Sequence, residues 1–401
     1  MIKEDIDNYF QEFLEQEPLF IDKAPLQSQF TPEEIPHREE QIKQIATILA
    51  PLLRVERPSN IFMYGKTGTG KTLSIKHTTN KIQRVAQEKH IPLKVIYLNC
   101  KLKRVADTEY RLIAELAREC GKEIPPTGLP TDEVYKIFYS AIDDKKQAIL
   151  LVLDEIDQLI QKAGDELLYN LTRINSELNN AQISIVGISN NLLFTENIDP
   201  RVKSSLSEEE ILFPPYNALQ IQNILKSRCS LAFKEGVVGP GVIAKCAAYA
   251  AREHGDARRA LDLMRVAGEL AEREQAKQIL VDHIDKAEEK IEKDRVLDIV
   301  QSQPKQFQAT LFAILSLTKQ SKKVATGDIY SLYMDLCAKI GLRPLTQRRI
   351  SDIIAELDML GIINAKIISK GRYGRTREIS VAITPSSENN ILNILKKELD
   401  L

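Results

Sequence analysis

The 401-residue sequence predicts a mixed α/β protein: a phosphate-loop core built on a parallel sheet, a small all-helical lid domain, and a C-terminal winged helix-turn-helix. Three observations predict this architecture. A phosphate-loop motif stands between a strand-length apolar run and a helix. Short apolar runs alternate with helical periodicity up to about residue 215, which is typical of a parallel sheet flanked by helices. Near the C-terminus, the pattern changes to helices followed by a basic hairpin.

The octapeptide Gly65–Thr72 matches the phosphate-loop pattern G-x-x-x-x-G-K-[ST]. The apolar run Asn60–Tyr64 precedes it, and Leu73–Val85 can continue as a helix. In such a loop, the Lys71 amine reaches the β- and γ-phosphates and the Thr72 hydroxyl holds Mg²⁺. A chance Gly/Thr loop is the alternative. We expect ATP or ADP to be contacted by Gly65, Gly68, Thr69, Gly70, Lys71, Thr72 and Leu73.

A second motif predicts hydrolysis of the bound triphosphate. The apolar run Ala148–Leu153 is typical of a strand buried on both faces, and it ends in two carboxylates. We assign Mg²⁺ coordination to Asp154 and polarisation of the attacking water to Glu155. Asp157 is either an outer contact of this site or the cap of the next helix. Taken alone, acidic residues after a strand are only a helix start signal.

Composition limits the class of protein. Net charge is −1, so no overall field requires a nucleic-acid partner. The five cysteines are scattered without metal-like spacing, which is typical of reduced thiols in the cytoplasm. The N-terminus is polar, unlike a signal peptide, and no apolar stretch approaches the ~20 residues of a membrane helix. We therefore predict a cytoplasmic protein, associated with the nucleoid if it binds DNA, and no membrane partner.

The pattern of residues divides the chain into a tail (1–17), an α/β ATPase core (18–215), a helical lid (216–290) and a winged-helix domain (296–401). Pro214 and Pro215 end the alternating region, and Lys286–Arg295 is predicted to continue as an exposed helix. Five strands are predicted for the core: Ile61–Tyr64, Val95–Leu98, Ile149–Leu153, Ile183–Ile188 and Ile211–Phe213.

Positive charge is concentrated near the C-terminus. Gly341–Arg377 holds eight basic and three acidic residues, a local net charge of +5. A helix is predicted from Thr346, its N-cap, to Leu360, with two arginines in the first turn, where they oppose the helix dipole. The runs Ile362–Ser369 and Thr376–Ile383 form the predicted hairpin. We expect duplex DNA to contact Thr346, Gln347, Arg348, Arg349, Lys370, Gly371, Arg372, Tyr373 and Arg375. A solvated loop on a protein-contact module is the alternative.

These motifs together resemble the archaeal origin-recognition initiator family of AAA+ ATPases, from about residue 18 to the C-terminus. Pro36–Glu39, the two motifs above, Gly187–Asn190, Asp199–Ser205 and His254–Asp262 carry the resemblance. It implies that Asn190 is the sensor 1 residue and that Arg201 is an arginine finger acting on a neighbouring subunit. It also implies that Arg258 is the sensor 2 arginine, with Arg259 as the fallback. Two further nucleotide contacts are implied at the start of the lid, Tyr216 and Arg228.

Each implied residue also has an ordinary alternative. Asn190 could be a turn residue, Arg201 a surface ion-pair partner, and Arg258 a partner of lid carboxylates. Members of the family carry a helical DNA-contacting insertion where this chain has Cys100–Cys120, which includes Arg104 and Arg111. An amphipathic helix covering the sheet explains that stretch equally well.

The resulting hypothesis is a double-stranded-DNA-binding ATPase that marks replication origins and recruits the replicative helicase. Other initiator protomers are possible partners, and the resemblance implies that ATP binding and hydrolysis act as a slow switch. The alternatives are a nucleotide-switched winged-helix transcription regulator and a clamp-loader-type ATPase acting on protein partners. The basic hairpin tip argues against the clamp-loader alternative.

Overall fold

The computed structural model describes residues 17–101, 108–125, 127–191, 194, 198–206, 208–252, 255–319, 324–369, 375–383 and 385–401. The side chains of residues 295, 367–369, 375–376 and 385–387 are outside this description. The chain forms two compact units, Met1–Asp285 and Lys286–Leu401. Within the described ranges, no helix is long and apolar enough to cross a bilayer. The predicted domain boundaries at residues 215 and 290 remain predictions.

A five-stranded parallel sheet forms the centre of the first unit. In chain order its strands are β1 Ile61–Tyr64, β2 Leu93–Asn99, β3 Gln147–Asp154, β4 Ala181–Ser189 and β5 Glu209–Leu212. Across the sheet they are ordered β2-β3-β4-β1-β5. Every residue of the third strand is buried, as its continuous apolar run predicts. All five predicted strands are present and parallel, which confirms the α/β fold class.

Helices cover both faces of this sheet. Those of the core are α1 Glu39–Leu49, α2 Lys71–Glu88, α3 Glu109–Glu119, α4 Thr131–Ile142, α5 Ile156–Ala163, α6 Glu166–Arg173 and α7 Pro200–Leu206. On one face, Ile45 of α1 and Ile75 of α2 pack against Leu150 of β3. On the other face, Leu112 of α3 and Phe138 of α4 pack against Leu151. The apolar core therefore has one layer on each side of the sheet.

The lid follows Pro215 and is helical. It contains α8 Ala218–Ala232, α9 Val242–Arg252 and α10 Ala257–Arg273, and α11 Val281–Ser302 then runs across the boundary of the two units. The capping box of α8 is complete, because Asn217 accepts from the Gln220 backbone and Gln220 accepts from the Asn217 backbone. The described structure thus agrees with the predicted helical pattern. Helix α11 includes the predicted helix Lys286–Arg295, but most of the side chains described there are half-buried rather than exposed.

A segment that we call the N-terminal strap, residues 17–36, packs on the lid. The Phe20 ring lies 4.5 Å from the Phe233 ring, centroid to centroid. The Leu19 amide donates to Glu272 Oε1 at 3.1 Å, and Glu272 also pairs with Lys23 at 3.3 Å. Gly268 of α10 leaves the space that the two rings fill, since a Cβ there would lie 2.5 Å from the Phe20 Cζ atom.

The second unit is a winged helix-turn-helix. Its helices are α12 Lys305–Thr318, α13 Thr326–Ile340, α14 Gln347–Met359 and α15 Pro385–Glu398, and its strands are β6 Val324–Ala325, β7 Ile363–Ser369 and β8 Arg375–Val381. The antiparallel sheet has the order β6-β8-β7. Thr346 caps α14 as predicted, because its hydroxyl accepts from the Arg349 amide at 3.4 Å. The sequence interpretation missed β6 and α15.

The fit of the strap into α10 is testable. We expect Gly268→Ala to lower the free energy of unfolding by about 1–3 kcal/mol more than Gly327→Ala does, because the added methyl overpacks two buried rings. Gly327 of α13 has nothing within 4 Å of the equivalent position. Gly327→Ala adds a methyl group to a helix without such a contact, and the interior position of Gly268 gains more helix propensity, so a larger loss of stability in Gly268→Ala is due to the contact. Urea unfolding followed by circular dichroism measures both. Equal values would show that the strap adjusts at no cost.

Candidate functional site

A cavity of about 610 Å³ opens between the core, the lid and the strap of the first unit. It lies where β1, β3 and β4 end, which is the edge at which open parallel sheets bind ligands. Most of the residues predicted for the nucleotide site line it: Gly68, Thr69, Gly70, Lys71, Thr72, Leu73, Asp154, Glu155, Asn190, Tyr216, Arg228 and Arg258. The fold thus brings residues from distant parts of the sequence to one cavity.

The phosphate loop wraps the first turn of α2. Lys71 is 4% exposed, and its amine donates to the Gly65 and Lys66 carbonyls, each at 2.7 Å. Gly68 has φ +69° and lies against the lid, since a Cβ there would stand 1.7 Å from Asp256 Oδ1. Gly65 does not line the cavity, but its carbonyl accepts the hydrogen bond that holds the Lys71 amine in place. Burial lowers the pKa of Lys71 to about 8, with Arg258 acting in the same direction and Asp154 against it.

Asp154, at the end of β3, receives several hydrogen bonds. The Thr72 hydroxyl donates to its Oδ2 atom at 2.8 Å, and the Tyr97 hydroxyl donates to the same oxygen. The Glu155 amide donates to Oδ1 at 3.0 Å. A hydroxyl and a carboxylate at this separation fit a hard divalent cation such as Mg²⁺, which takes oxygen ligands.

Glu155 sits at the elbow between β3 and α5 in a left-handed conformation, with φ +56° and ψ +46°. Such backbone is rare outside glycine and clusters at functional sites. Its carboxylate lies 3.8 Å from the Lys101 amine. Nearby, the Ser189 hydroxyl donates to Asp157 Oδ1 at 2.9 Å, just before Asn190. Asp157 therefore contacts the end of β4 and lies outside the predicted Mg²⁺ ligands, which is one of the two roles considered for it.

The lid contributes three of the predicted residues and closes directly on the phosphate loop. The Ala257 amide, at the start of α10, donates to the Gly68 carbonyl at 3.3 Å. Asp256 caps the same helix by accepting from the Arg258 amide at 2.8 Å. Arg258 therefore begins a helix whose N-terminus faces the loop, where a phosphate is favoured.

Arg228 is a buried cation that lines the cavity. It is 6% exposed, its guanidinium carbon lies 4.8 Å from the Phe30 ring centroid, and burial lowers its pKa. Its Nη1 atom has no hydrogen-bond partner among the described residues. A buried donor without an acceptor is costly, so this arrangement favours a ligand with acceptor atoms.

Arg38 was not among the predicted site residues, although it lies in a quoted motif. It is 2% exposed, its Nε donates to the Thr69 carbonyl at 2.8 Å, and its Nη2 donates to the Pro214 carbonyl. Its guanidinium carbon lies 3.9 Å from the centroid of the Tyr216 ring, and burial lowers its pKa. Tyr97 was missed as well. The motif Pro36–Glu39, which contains Arg38, is the signal that could have indicated this residue, and no local signal indicates Tyr97.

Arg201 lies away from this cavity. Its side chain is 67% exposed and bonds Asp199 at 2.8 Å. That contact holds the pKa of Asp199 down at about 2 and raises the pKa of Arg201. Arg201 thus forms the surface ion pair that was its alternative, and the finger role remains a proposal.

The predicted DNA contacts are only partly described. Thr346, Gln347, Arg348 and Arg349 are all exposed at the start of α14, and Arg349 lies 3.7 Å from Asp352. The hairpin tip residues Lys370, Gly371, Arg372 and Tyr373, and also Arg104, lie outside the described residues, and only the backbone of Arg375 is described, at the start of β8.

Arg111 is exposed on α3, whose other face packs on the sheet through Leu112, Ile113 and Leu116. The helix therefore has the sheet-covering geometry that was the alternative for this stretch.

Family models match all three regions of the chain. One described as an AAA domain matches residues 54–193, one described as the Cdc6 AAA+ ATPase-type lid domain matches 222–289, and one described as the CDC6 C-terminal winged helix domain matches 298–389. Fold and site together define an AAA+ protein with a phosphate-loop ATPase fold, a lid and a winged helix. A cavity that binds nucleotide accords with that class of protein.

Relatives identify the family. The chain is 52% identical to the ORC1-type DNA replication protein of Thermococcus onnurineus, over 96% of this chain and 94% of the relative. It is 50% identical to ORC1-type DNA replication protein 1 of Methanosarcina mazei, over 98% and 95%. The solved structure of the Aeropyrum pernix ORC1 protein in complex with DNA is 43% identical, with a TM-score of 0.84 over 94% of this chain and 97% of that one. The chain belongs to the family of ORC1-type DNA replication proteins, which confirms the resemblance.

The lowered pKa of Lys71 predicts proton uptake on nucleotide binding. A triphosphate favours the charged amine, so the complex holds more protons and affinity falls as pH rises through 8. We expect uptake to grow from near zero at pH 7 to about three quarters of a proton at pH 8.5. Calorimetry in buffers of different ionisation enthalpy measures it. Lys71→Arg is the control, because a guanidinium stays charged. Uptake that persists in Lys71→Arg would assign the proton to another group.

Proposed function

We propose that this protein is an ATP-dependent replication initiator that binds double-stranded DNA at replication origins and promotes recruitment of the replicative helicase. The names of the curated relatives and the DNA complex of the Aeropyrum pernix protein support this proposal. The observation that carries it is the exposed basic first turn of α14. Arg348 and Arg349 stand there against the helix dipole, an arrangement that a DNA phosphate makes favourable.

The nucleotide half of the proposal rests on the cavity. ATP or ADP binds with its phosphates in the loop at Lys71 and its remaining acceptors near Arg228. When bound, Mg²⁺ neutralises developing charge on the phosphates, and Thr72 and Asp154 hold it. Glu155 accepts a proton from the attacking water, and Asn190 orients that water.

The DNA half rests on the second unit. Helix α14 enters the major groove, as the second helix of a helix-turn-helix does, and the hairpin contacts the adjacent backbone. Because the whole chain carries a net charge of −1, affinity comes from local positive patches and depends steeply on salt. The protein acts at the nucleoid.

Nucleotide state controls the lid in this proposal. Arg258 faces the phosphate loop from α10, so the loss of a γ-phosphate removes a partner of the lid helix. We propose that hydrolysis is a slow switch that ends an ATP-bound state competent for helicase recruitment. Other initiator protomers supply Arg201 as a finger to the neighbouring cavity.

The role of Glu155 predicts a separation of binding from hydrolysis. We expect Glu155→Gln to lower phosphate release about 10²-fold or more, because the general base is lost. ATP affinity, followed with a fluorescent ATP analogue, is expected to change little, whereas Lys71→Ala loses binding. Glu166→Gln, an exposed change on α6, is the matched control. Normal turnover by Glu155→Gln would place the base elsewhere.

The role of α14 predicts a change in salt dependence. We expect the variant Arg348→Ala/Arg349→Ala to bind origin duplex more weakly, with a salt slope shallower by about two phosphate contacts, each worth ~0.9 in the log–log plot. Fluorescence anisotropy across a salt series measures this. Lys81→Ala/Arg84→Ala removes two exposed charges from α2 and is the control. Preference of the wild type for promoter over origin fragments would favour a transcription regulator. No duplex binding at all would favour a clamp-loader-type role.

A further inference from the structure

We infer that Tyr97 is a positioning residue for the metal-binding carboxylate, and that its hydroxyl sets the affinity of the nucleotide site for Mg²⁺. The inference rests on the proposed function, because it concerns the same cavity. It assigns a role to a residue that carries no sequence motif of its own.

The sheet register places Tyr97 beside the carboxylate. Strand β2 pairs in parallel with β3, and Asn99 is the direct partner of Asp154. Tyr97, two residues earlier, has its side chain on the same face of the sheet as Asn99. Both residues line the cavity, and the Tyr97 ring extends towards the end of β3 until its hydroxyl meets Asp154 Oδ2.

Both oxygens of Asp154 are thereby fixed. Oδ2 accepts from Thr72 at 2.8 Å and from Tyr97, and Oδ1 accepts from the Glu155 amide at 3.0 Å. The Thr72 hydroxyl belongs to the phosphate loop, so it moves with that loop. The Tyr97 hydroxyl belongs to the sheet, so it is a side-chain donor that orients the carboxylate independently of the loop.

The ring of Tyr97 is itself held in place. The Lys76 amine on α2 lies 4.5 Å from the ring centroid, which is cation–π distance. A tyrosine hydroxyl keeps its proton at neutral pH, and this one donates it to Asp154 Oδ2. Tyr97 is therefore a permanent donor at a fixed position.

Groups that orient a metal ligand contribute to metal affinity although they do not touch the metal. Removing such a partner typically costs between 10- and 100-fold in affinity or activity. Tyr97 shares its role with Thr72 and the Glu155 amide, so we expect an effect at the lower end of that range.

The test is a Mg²⁺ titration of nucleotide binding by Tyr97→Phe, with a fluorescent ATP analogue and the full chain. We expect the half-saturating Mg²⁺ concentration to rise about tenfold. Affinity for the analogue in excess EDTA is expected to match that of the wild type, because the phenyl ring keeps the packing. A repeat with Mn²⁺ measures the same effect with a second cation.

Tyr135→Phe is the matched control. The Tyr135 hydroxyl also donates to a carboxylate of the core, Glu109 Oε1 at 2.7 Å, but away from the cavity. We expect its Mg²⁺ titration to match the wild type. If Tyr97→Phe titrates with Mg²⁺ like the wild type, or if both variants shift equally, the inference is overturned and the proposed function stays in place. If wild-type protein does not bind the analogue with Mg²⁺, the proposed function itself fails.

Discussion

The buried guanidinium of Arg38 is the contact that fixes the shape of the nucleotide cavity. It donates to the Thr69 carbonyl of the phosphate loop and to the Pro214 carbonyl where the core ends, and it stacks on Tyr216 where the lid begins. A buried charge is tolerated only where its polar groups are satisfied. Here the acceptors are main-chain carbonyls of two separate segments, and the Tyr216 ring covers the guanidinium, so the charge has its partners only when those segments are together. The phosphate loop, the end of the core and the start of the lid are thus held in one arrangement, because separating them would leave the buried cation without partners.

Asp154 organises the chemistry within this frame. It has donors from α2, from β2 and from the backbone of the next residue, so the carboxylate is oriented before any cation arrives. Preorganisation of this kind reduces the reorganisation needed at reaction. The left-handed turn at Glu155 adds to it, because it directs the next carboxylate into the cavity from the strand end. The two acidic residues are neighbours in sequence, yet the elbow gives them different surroundings, which accords with the different tasks proposed for them.

The sequence predicted those parts of the fold that local pattern determines. Strand β1 was predicted with its bounds, and the other core strands were predicted to within about two residues, because apolar runs bounded by turns are local signals. The two-residue strand β6 was missed since it exists only through pairing with β8. In the site, motif residues such as Lys71 and Asp154 were found. Arg38 and Tyr97 were not, because their partners lie 31 and 57 residues away and no periodicity reports such contacts.

The N-terminal strap gives the lid a second attachment. Its beginning is fastened to α10 through Phe20 and Leu19, and its far end leads to Arg38 in the core. The lid is thus joined to the core at two places, the strap and the chain at Pro214–Pro215. A body attached at two separate points rotates most easily about the line through them, so the two attachments define the axis about which the lid can turn.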